Sequence, residues 1–161
     1  MKYKIIVILS IFFMSFSTSE KVDDYRQALS KITTSKEYHS FTKNQKKYYV
    51  SNEVIRYTKL AQYFKKELQQ YNELTDEEIV LNTYKDNLNN DNLLTLNIKK
   101  CSKVQINFSE IREGIFFAEL IKTKKKLKYK DVYFGISYVY MFKKNLNDKI
   151  ELINVIQLDN N

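Results

Sequence analysis

The stretch IFFAELI, residues 115–121, decides the fold. Apart from Glu119 it is apolar at odd and even positions alike, which is typical of a central strand with both faces buried. Two more strands are predicted after it. Residues 132–142 carry bulky side chains at their even positions, and residues 149–158 return after the turn sequence NLND at 145–148. We therefore predict that these three strands form an antiparallel meander.

Upstream of residue 115, two segments alternate between apolar and polar residues, and this pattern favours strands. The Arg112-Glu113-Gly114 sequence predicts a turn between the second segment and the central strand. The apolar residues are Leu94, Leu96 and Ile98 in the first segment, and Val104, Ile106 and Phe108 in the second.

The first half of the chain shows helical spacing instead. A first helix is predicted over residues 22–32, where apolar side chains recur on one helical face. A second helix is predicted from a cap at Ser51 or Asn52 to about residue 72. A capping box at residues 75–78 starts a short third helix, and residues 86–92 are predicted to form a polar loop.

Helices followed by a meander predict an α+β domain, with N-terminal helices packed on one face of a C-terminal antiparallel β-meander sheet. This element order, over about residues 20–160, resembles cystatin-like folds, including the nuclear transport factor two-like group. The resemblance implies a curved sheet that wraps the helices and a pocket between them. It includes no family motif, so no functional residue is carried over.

The first nineteen residues have the pattern of a secretory signal peptide. Lysines precede an apolar run at residues 5–16, and small residues lead to a cut between Ser19 and Glu20. The run is shorter than the roughly twenty residues that span a bilayer, and no second long apolar segment follows. We therefore expect a cleaved signal over 1–19, one domain over 20–161, a secreted or periplasmic location and no stable membrane insertion after cleavage.

Composition narrows the set of partners. The formal net charge is +8, but of 27 basic residues only 26, 56 and 112 are arginine. Nucleic-acid readers rely on arginine for bidentate contacts, and A/T-rich codons account for the lysine surplus, so we predict no nucleic-acid partner. Cys101 is the one cysteine, which excludes an intramolecular disulfide and leaves an intermolecular one open.

Glu119 is the first candidate for a functional residue. It interrupts an apolar strand, where a carboxylate is unfavourable unless it is paired or solvated. It therefore either lines a pocket, where burial would raise its pKa and suit a general acid or base, or faces water beside a lysine.

The sequence KTKKKLKYK, residues 122–130, is the second candidate. Its lysines could dock an anionic glycan, a lipid headgroup or an acidic protein, or could simply solvate a connection between strands. Two tyrosines in and near it are the aromatic residues least explained by burial. The candidate ligand-binding residues are Lys124, Lys125, Lys126, Lys128, Tyr129 and Tyr133.

Nucleophilic and metal chemistry have less support. Cys101 and His39 could form a catalytic pair if they meet in space; otherwise they are an inert thiol and a surface imidazole. They cannot by themselves supply the four ligands of a structural zinc site. Asn87, Asn89 and Asp91 match the start of a calcium loop, but the later ligands do not follow, which favours a polar turn.

The sequence therefore predicts a small exported α+β protein that acts as a binding or accessory module, without catalytic activity or a cofactor. It is expected to be a monomer that binds an unknown small molecule, an anionic glycan or a protein. A competing hypothesis is a cofactor-free hydrolase or isomerase that uses Glu119. A third is an interaction protein whose sheet edge or helix face docks a partner.

Overall fold

The computed structural model describes residues 21–43, 48–70, 86–97, 103–122 and 135–160 of the chain. Its strands form two sheets. The strands are β1 (Tyr49–Val50), β2 (Glu53–Val54), β3 (Leu88–Asn89), β4 (Val104–Phe108), β5 (Ile115–Lys122), β6 (Gly135–Lys144) and β7 (Ile150–Asn160). The main sheet has the order β1-β4-β5-β6-β7, and β2 pairs with β3. Strands β4 to β7 pair antiparallel, which confirms the predicted meander, and β1 joins β4 in parallel.

Among the described residues, the α-helices lie in the first half of the chain. The described part of the first helix, α1, covers residues 21–33. The others are α2 (Lys36–Thr42), α3 (Tyr57–Ala61) and α4 (Lys65–Gln69), with 3-10 turns at Gln62–Phe64 and Asp91–Leu96. Among the described residues, no helix combines the length and the apolar character needed to cross a membrane.

One face of the main sheet is covered by α1 and α2. Tyr25 of α1 contacts the rings of Phe108 and Phe116, at centroid distances of 4.8 and 5.5 Å. Its hydroxyl donates to the carbonyl oxygen of Ser109 at 2.8 Å. This face agrees with the prediction of N-terminal helices packed on a meander, and the α+β class is confirmed.

The opposite face is covered as well, by α3 and α4. Phe117 of β5 is fully buried there, with its ring 5.0 Å from that of Tyr57 and 5.4 Å from that of Phe64. The cluster extends to Ile115, Val139 and Met141. The expectation of helices on one face therefore describes only α1 and α2. A central strand that is apolar on both faces requires a cover on each.

The predicted start of the second helix at Ser51 or Asn52 is wrong, because this segment pairs as a strand. Backbone amides of Ser51 and Ile55 donate to carbonyl oxygens of Ile106 and Phe108, at 2.9 and 2.8 Å. The Ser51 hydroxyl accepts from the amide of Glu53 at 3.1 Å, which makes a local turn and no helix cap. The helix itself begins only at Tyr57.

The strand predicted across Leu94 and Leu96 is also wrong. Both lie in the 3-10 segment Asp91–Leu96, in which side chains three positions apart share a face. Accordingly Leu93 and Leu96 are buried while Leu94 is exposed. Part of the predicted loop at 86–92 is strand β3. The capping box at 75–78 and the predicted third helix lie outside the described residues.

Both predicted hairpin turns are confirmed. Between β4 and β5, Arg112 and Ile115 exchange backbone hydrogen bonds of 2.9 and 2.7 Å. The two residues inside that turn, Glu113 and Gly114, have φ of 46° and 78°. Positive φ at both positions matches the type I′ turn that suits the twist of a hairpin.

Replacing Gly114 by alanine is expected to lower the free energy of unfolding by about 1–2 kcal/mol. Alanine at this position would have to adopt the left-handed φ of 78°, which a residue with a Cβ disfavours. Its Cβ would also lie only 3.2 Å from the Cβ of Lys144. Urea denaturation of both proteins measures the difference.

A second variant in the same turn is the control. Glu113→Asn places a residue that tolerates left-handed φ at the neighbouring position, so we expect unchanged or slightly higher stability. Equal stability of Gly114→Ala and the parent would show that the turn does not hold this geometry in solution.

Candidate functional site

Glu119 lies on the face of β5 that also carries Ile115 and Phe117. Helices α3 and α4 cover those two residues, and Glu119 continues the same row toward the end of the strand. It is opposite Asn107 of β4 and Val139 of β6. The carboxylate therefore interrupts an apolar face that continues beyond it to the buried side chain of Ile121.

The Glu119 side chain is partly buried and held by neutral groups. It accepts hydrogen bonds from the side chains of Asn107 and Ser137. Both partners are themselves buried. None of the ion pairs among the described residues includes Glu119, so the interpretation as a water-facing glutamate beside a lysine is not seen in this part of the chain.

The polar contacts continue on both sides of Glu119. Gln105 Nε2 donates to Asn107 Oδ1 at 2.9 Å, and Asn160 Nδ2 donates to Ser137 Oγ at 3.1 Å. These five side chains, from four neighbouring strands, are called the Glu119 row below. They form a continuous chain of hydrogen bonds across the sheet.

The pKa of the Glu119 carboxyl is raised. Burial is the main cause, and the hydrogen bonds from Ser137 and Asn107 act against it. A carboxyl group whose pKa is higher in the folded protein binds protons more tightly there than in the unfolded chain. Its ionisation therefore lowers the stability of the fold as the pH rises from the unfolded pKa through the folded pKa.

Tyr63 adds an aromatic ring to this region. It belongs to the 3-10 turn between α3 and α4, and its side chain is 42% exposed. Burial raises the pKa of its phenol, and the negative charge of Glu119 raises it further. The ring therefore lies within electrostatic reach of the carboxylate while remaining accessible to solvent.

Glu110 is a second carboxylate in the same fold, and its contacts are those of a residue with a structural role. Its oxygens accept from Arg56 Nη1 at 2.6 Å and from the backbone amide of Tyr57 at 3.2 Å, where α3 begins. Arg112 in turn lies over the Tyr57 ring, 5.3 Å from its centroid. Glu110 thus pairs with a cation and accepts a hydrogen bond from the first residue of α3. Among the described residues, Glu119 makes neither kind of contact.

The lysine-rich candidate site is not described by the structure. Residues 123–134 lie outside the described part, so Lys124, Lys125, Lys126, Lys128, Tyr129 and Tyr133 remain sequence predictions. The segment connects β5 to β6, and these strands carry Glu119 and Ser137 near the ends that it joins. The attachment points thus belong to the same end of the sheet as the Glu119 row.

Only some of the remaining candidate residues lie in the described part of the chain. His39 is exposed on α2, whereas Cys101 lies outside the described residues, so their pairing stays a prediction. The same holds for the cut between Ser19 and Glu20. No group of three potential metal ligands occurs among the described His, Cys, Asp and Glu side chains.

Two of the three residues that match the start of a calcium loop, Asn87 and Asp91, accept hydrogen bonds within the fold. Asn87 Oδ1 accepts from Lys59 Nζ at 3.1 Å and from the backbone amide of Arg56 at 3.2 Å. Asp91 Oδ1 accepts from Asn52 Nδ2 at 2.7 Å. These oxygens face hydrogen-bond donors, as the polar-turn interpretation expects and a cation site does not.

Sequence reasoning found Glu119 and missed its partners. Gln105 and Asn107 alternate with apolar residues, which normally places such side chains in water, yet both are buried. Their burial follows from the pairing of β4 with β5, which sets Asn107 opposite Glu119 and which the local sequence pattern does not reveal. Tyr63 had no comparable signal, because its position depends on the break between α3 and α4.

Comparisons with protein-family models, with curated proteins and with solved structures find no match to this chain. The resemblance to cystatin-like folds therefore stays a prediction from element order. The arguments about function that follow depend on the chemistry of the Glu119 row.

Proposed function

We propose that this protein is a small exported binding or accessory module whose ligand is held at the Glu119 row. One observation carries the proposal: five linked polar side chains interrupt a sheet face that is otherwise packed with apolar residues. Burying polar groups and a carboxylate is unfavourable compared with apolar packing. A few convergent polar groups beside an apolar surface are typical of ligand sites.

Export is supported by the N-terminal sequence. The basic start, the apolar run at 5–16 and the small residues before Glu20 have the order of a cleaved signal. We accordingly propose a secreted or periplasmic protein that acts after its first nineteen residues are removed.

The surroundings of Glu119 favour binding over catalysis. The described side chains that donate to it carry an amide and a hydroxyl, which are groups that orient polar ligands through hydrogen bonds. General acid–base catalysis commonly pairs two titrating groups with different pKa values near the working pH. The phenol of Tyr63, whose pKa is raised, is protonated at neutral pH and so does not serve as a base there.

A second candidate function is a cofactor-free hydrolase or isomerase that uses Glu119. The observation that favours it is the raised pKa of this carboxyl, which moves it toward the range useful for proton transfer at neutral pH. In that case Glu119→Gln would abolish activity toward the substrate and leave its binding largely intact.

The test is native mass spectrometry of the protein purified from its own cells. We expect a processed chain without residues 1–19 that carries a non-covalent adduct. In Glu119→Gln the adduct should fall about tenfold or more, which corresponds to at least 1.4 kcal/mol of binding. Glu113→Gln is the matched control, because it makes the same change at an exposed turn residue.

Two outcomes would contradict the proposal. A processed monomer without any adduct would argue against a binding module. An adduct that survives Glu119→Gln but disappears when Lys124, Lys125, Lys126 and Lys128 are changed to glutamine would move the site to the lysine-rich segment.

A further inference from the structure

We propose that two asparagine side chains, Asn97 and Asn154, close the edges of the main sheet against pairing with a second copy of this chain. Strands β1 and β7 are the outer strands of this sheet, so each presents a row of backbone groups to which a further strand could bond. At each strand an asparagine side chain occupies such backbone groups. The inference concerns self-association and is independent of the ligand proposed for the Glu119 row.

The first observation is at β1. The Ser51 amide donates to the carbonyl oxygen of Ile106 in β4, so by the alternation of a strand the backbone groups of Val50 point away from β4. The Val50 amide donates to Asn97 Oδ1 at 2.6 Å, and the Val50 carbonyl oxygen accepts from Asn97 Nδ2 at 3.1 Å. These are the two bonds that a further strand would make with Val50. Asn97 Nδ2 also donates to the carbonyl oxygen of Leu94 at 3.2 Å, which holds the side chain in place.

The second observation is in the middle of β7. The Val155 amide donates to Asn154 Oδ1 at 2.8 Å, so this amide is not available to a further strand. Asn154 Nδ2 donates to Glu67 Oε1 of α4 at 2.5 Å, which makes Glu67 the positioning residue for the asparagine. The register of β7 against β6 also shifts here, between Met141 and Phe142 of β6. Such bulges interrupt pairing at sheet edges.

Strand β7 has the features that otherwise favour pairing with β7 of a second copy. It is 11 residues long, and its sequence IELINVIQLDN contains neither lysine nor proline, the residues that commonly block an edge. Its charged residues, Glu151 and Asp159, are confined to its two ends, and Leu152 is 38% exposed. A long apolar edge strand of this kind is a site of self-association unless it is protected. Two such strands would pair antiparallel about a two-fold axis.

Sedimentation velocity of the protein in reducing buffer, which excludes a disulfide through Cys101, tests this inference. The parent should remain a monomer at every concentration. Asn154→Val removes both bonds of the asparagine side chain and should strengthen self-association at least about tenfold. Gln157→Val is the matched control, because it also places valine on β7 but removes only a contact with the Asp159 side chain, and it should stay monomeric. Glu67→Ala should associate as Asn154→Val does, whereas Glu67→Gln keeps an acceptor for Asn154 and should behave as the parent.

Amide hydrogen exchange followed by NMR at low concentration tests the two caps directly. The Val155 amide should exchange at least about tenfold faster in Asn154→Val than in the parent, and the Val50 amide should do the same in Asn97→Val. Because β1 is only two residues long, Asn97→Val should promote association less than Asn154→Val does.

Several results would overturn the inference. They are a parent that associates through β7, an Asn154→Val variant that stays monomeric, and unchanged exchange of the Val155 and Val50 amides in their variants. Association of Gln157→Val as strong as that of Asn154→Val would also overturn it, because the added apolar surface would then be the cause. Adding Leu152→Lys to Asn154→Val should restore the monomer, since a lysine on an edge strand opposes pairing. Association that persists in this double variant would place the contact away from β7 and refute the inference.

Discussion

Replacing Phe117 by alanine is expected to lower the free energy of unfolding by about 3–5 kcal/mol, the usual effect of deleting a fully buried phenyl group. The side chain is inaccessible to solvent and packs against the rings of Tyr57 and Phe64. It is also where α3 and α4 meet the sheet. Because natural domains are stable by only about 5–15 kcal/mol, this variant should be close to the limit of folding.

Urea denaturation followed by circular dichroism measures this loss. Leu146→Ala is the control, because it also deletes a large apolar side chain but at a hairpin position that is fully exposed. We expect the control to change stability by less than about 0.5 kcal/mol. A loss below about 1 kcal/mol for Phe117→Ala would show that α3 and α4 do not pack on this face in solution.

The second half of the fold could be predicted from the sequence because its signals are local. Residues 115–121 are apolar on both faces, and this pattern fixes a central strand without knowledge of its neighbours. The turns at 112–115 and 145–148 contain residues that adopt left-handed φ, here Glu113, Gly114 and Asp148. Strand, turn and strand then follow one another with the alternation of an antiparallel meander.

The segment around residue 51 could not be predicted in the same way. Ser51 fits a helix cap by residue type, and the residues after it are compatible with a helix. In the structure its amide reaches the carbonyl oxygen of Ile106, more than fifty positions along the chain. Tertiary hydrogen bonds of this kind override local preference and leave no trace in a window of neighbouring residues.

The candidate site contains one residue that a local sequence signal could predict and others whose burial depends on tertiary contacts. Glu119 could be found because a lone carboxylate in an apolar strand violates the local pattern. Gln105 and Asn107 followed the pattern of a strand with one wet face, so their burial only becomes visible once the register of β4 against β5 is known. A residue that breaks the local pattern, as Glu119 does, is thus detectable in a single sequence. Residues that fit the local pattern but are buried on a second face of the sheet, as Gln105 and Asn107 are, cannot be detected in this way.

Replacing Asn107 by alanine is expected to lower the free energy of unfolding by about 2–3 kcal/mol at neutral pH, since hydrogen bonds to charged groups contribute about 1.5–3 kcal/mol. Asn107 is buried, donates to Glu119 and accepts from Gln105. Loss of this donor raises the pKa of the Glu119 carboxyl further. The destabilisation should therefore be smallest in acid and grow as the pH rises through the folded-state pKa of Glu119, which lies above that of an unfolded glutamate.

A double-mutant cycle with Glu119→Gln separates the charge from the packing. Glutamine at 119 has no charge to stabilise, so Asn107→Ala in that background should be less destabilising, and its effect should not depend on pH. Urea denaturation of the four proteins at several pH values gives the coupling free energy directly. A coupling that is zero at every pH would mean that Asn107 and Glu119 do not interact, and the Glu119 row would then not exist as a unit. A coupling that increases with pH identifies an ionised Glu119 that is held by this network.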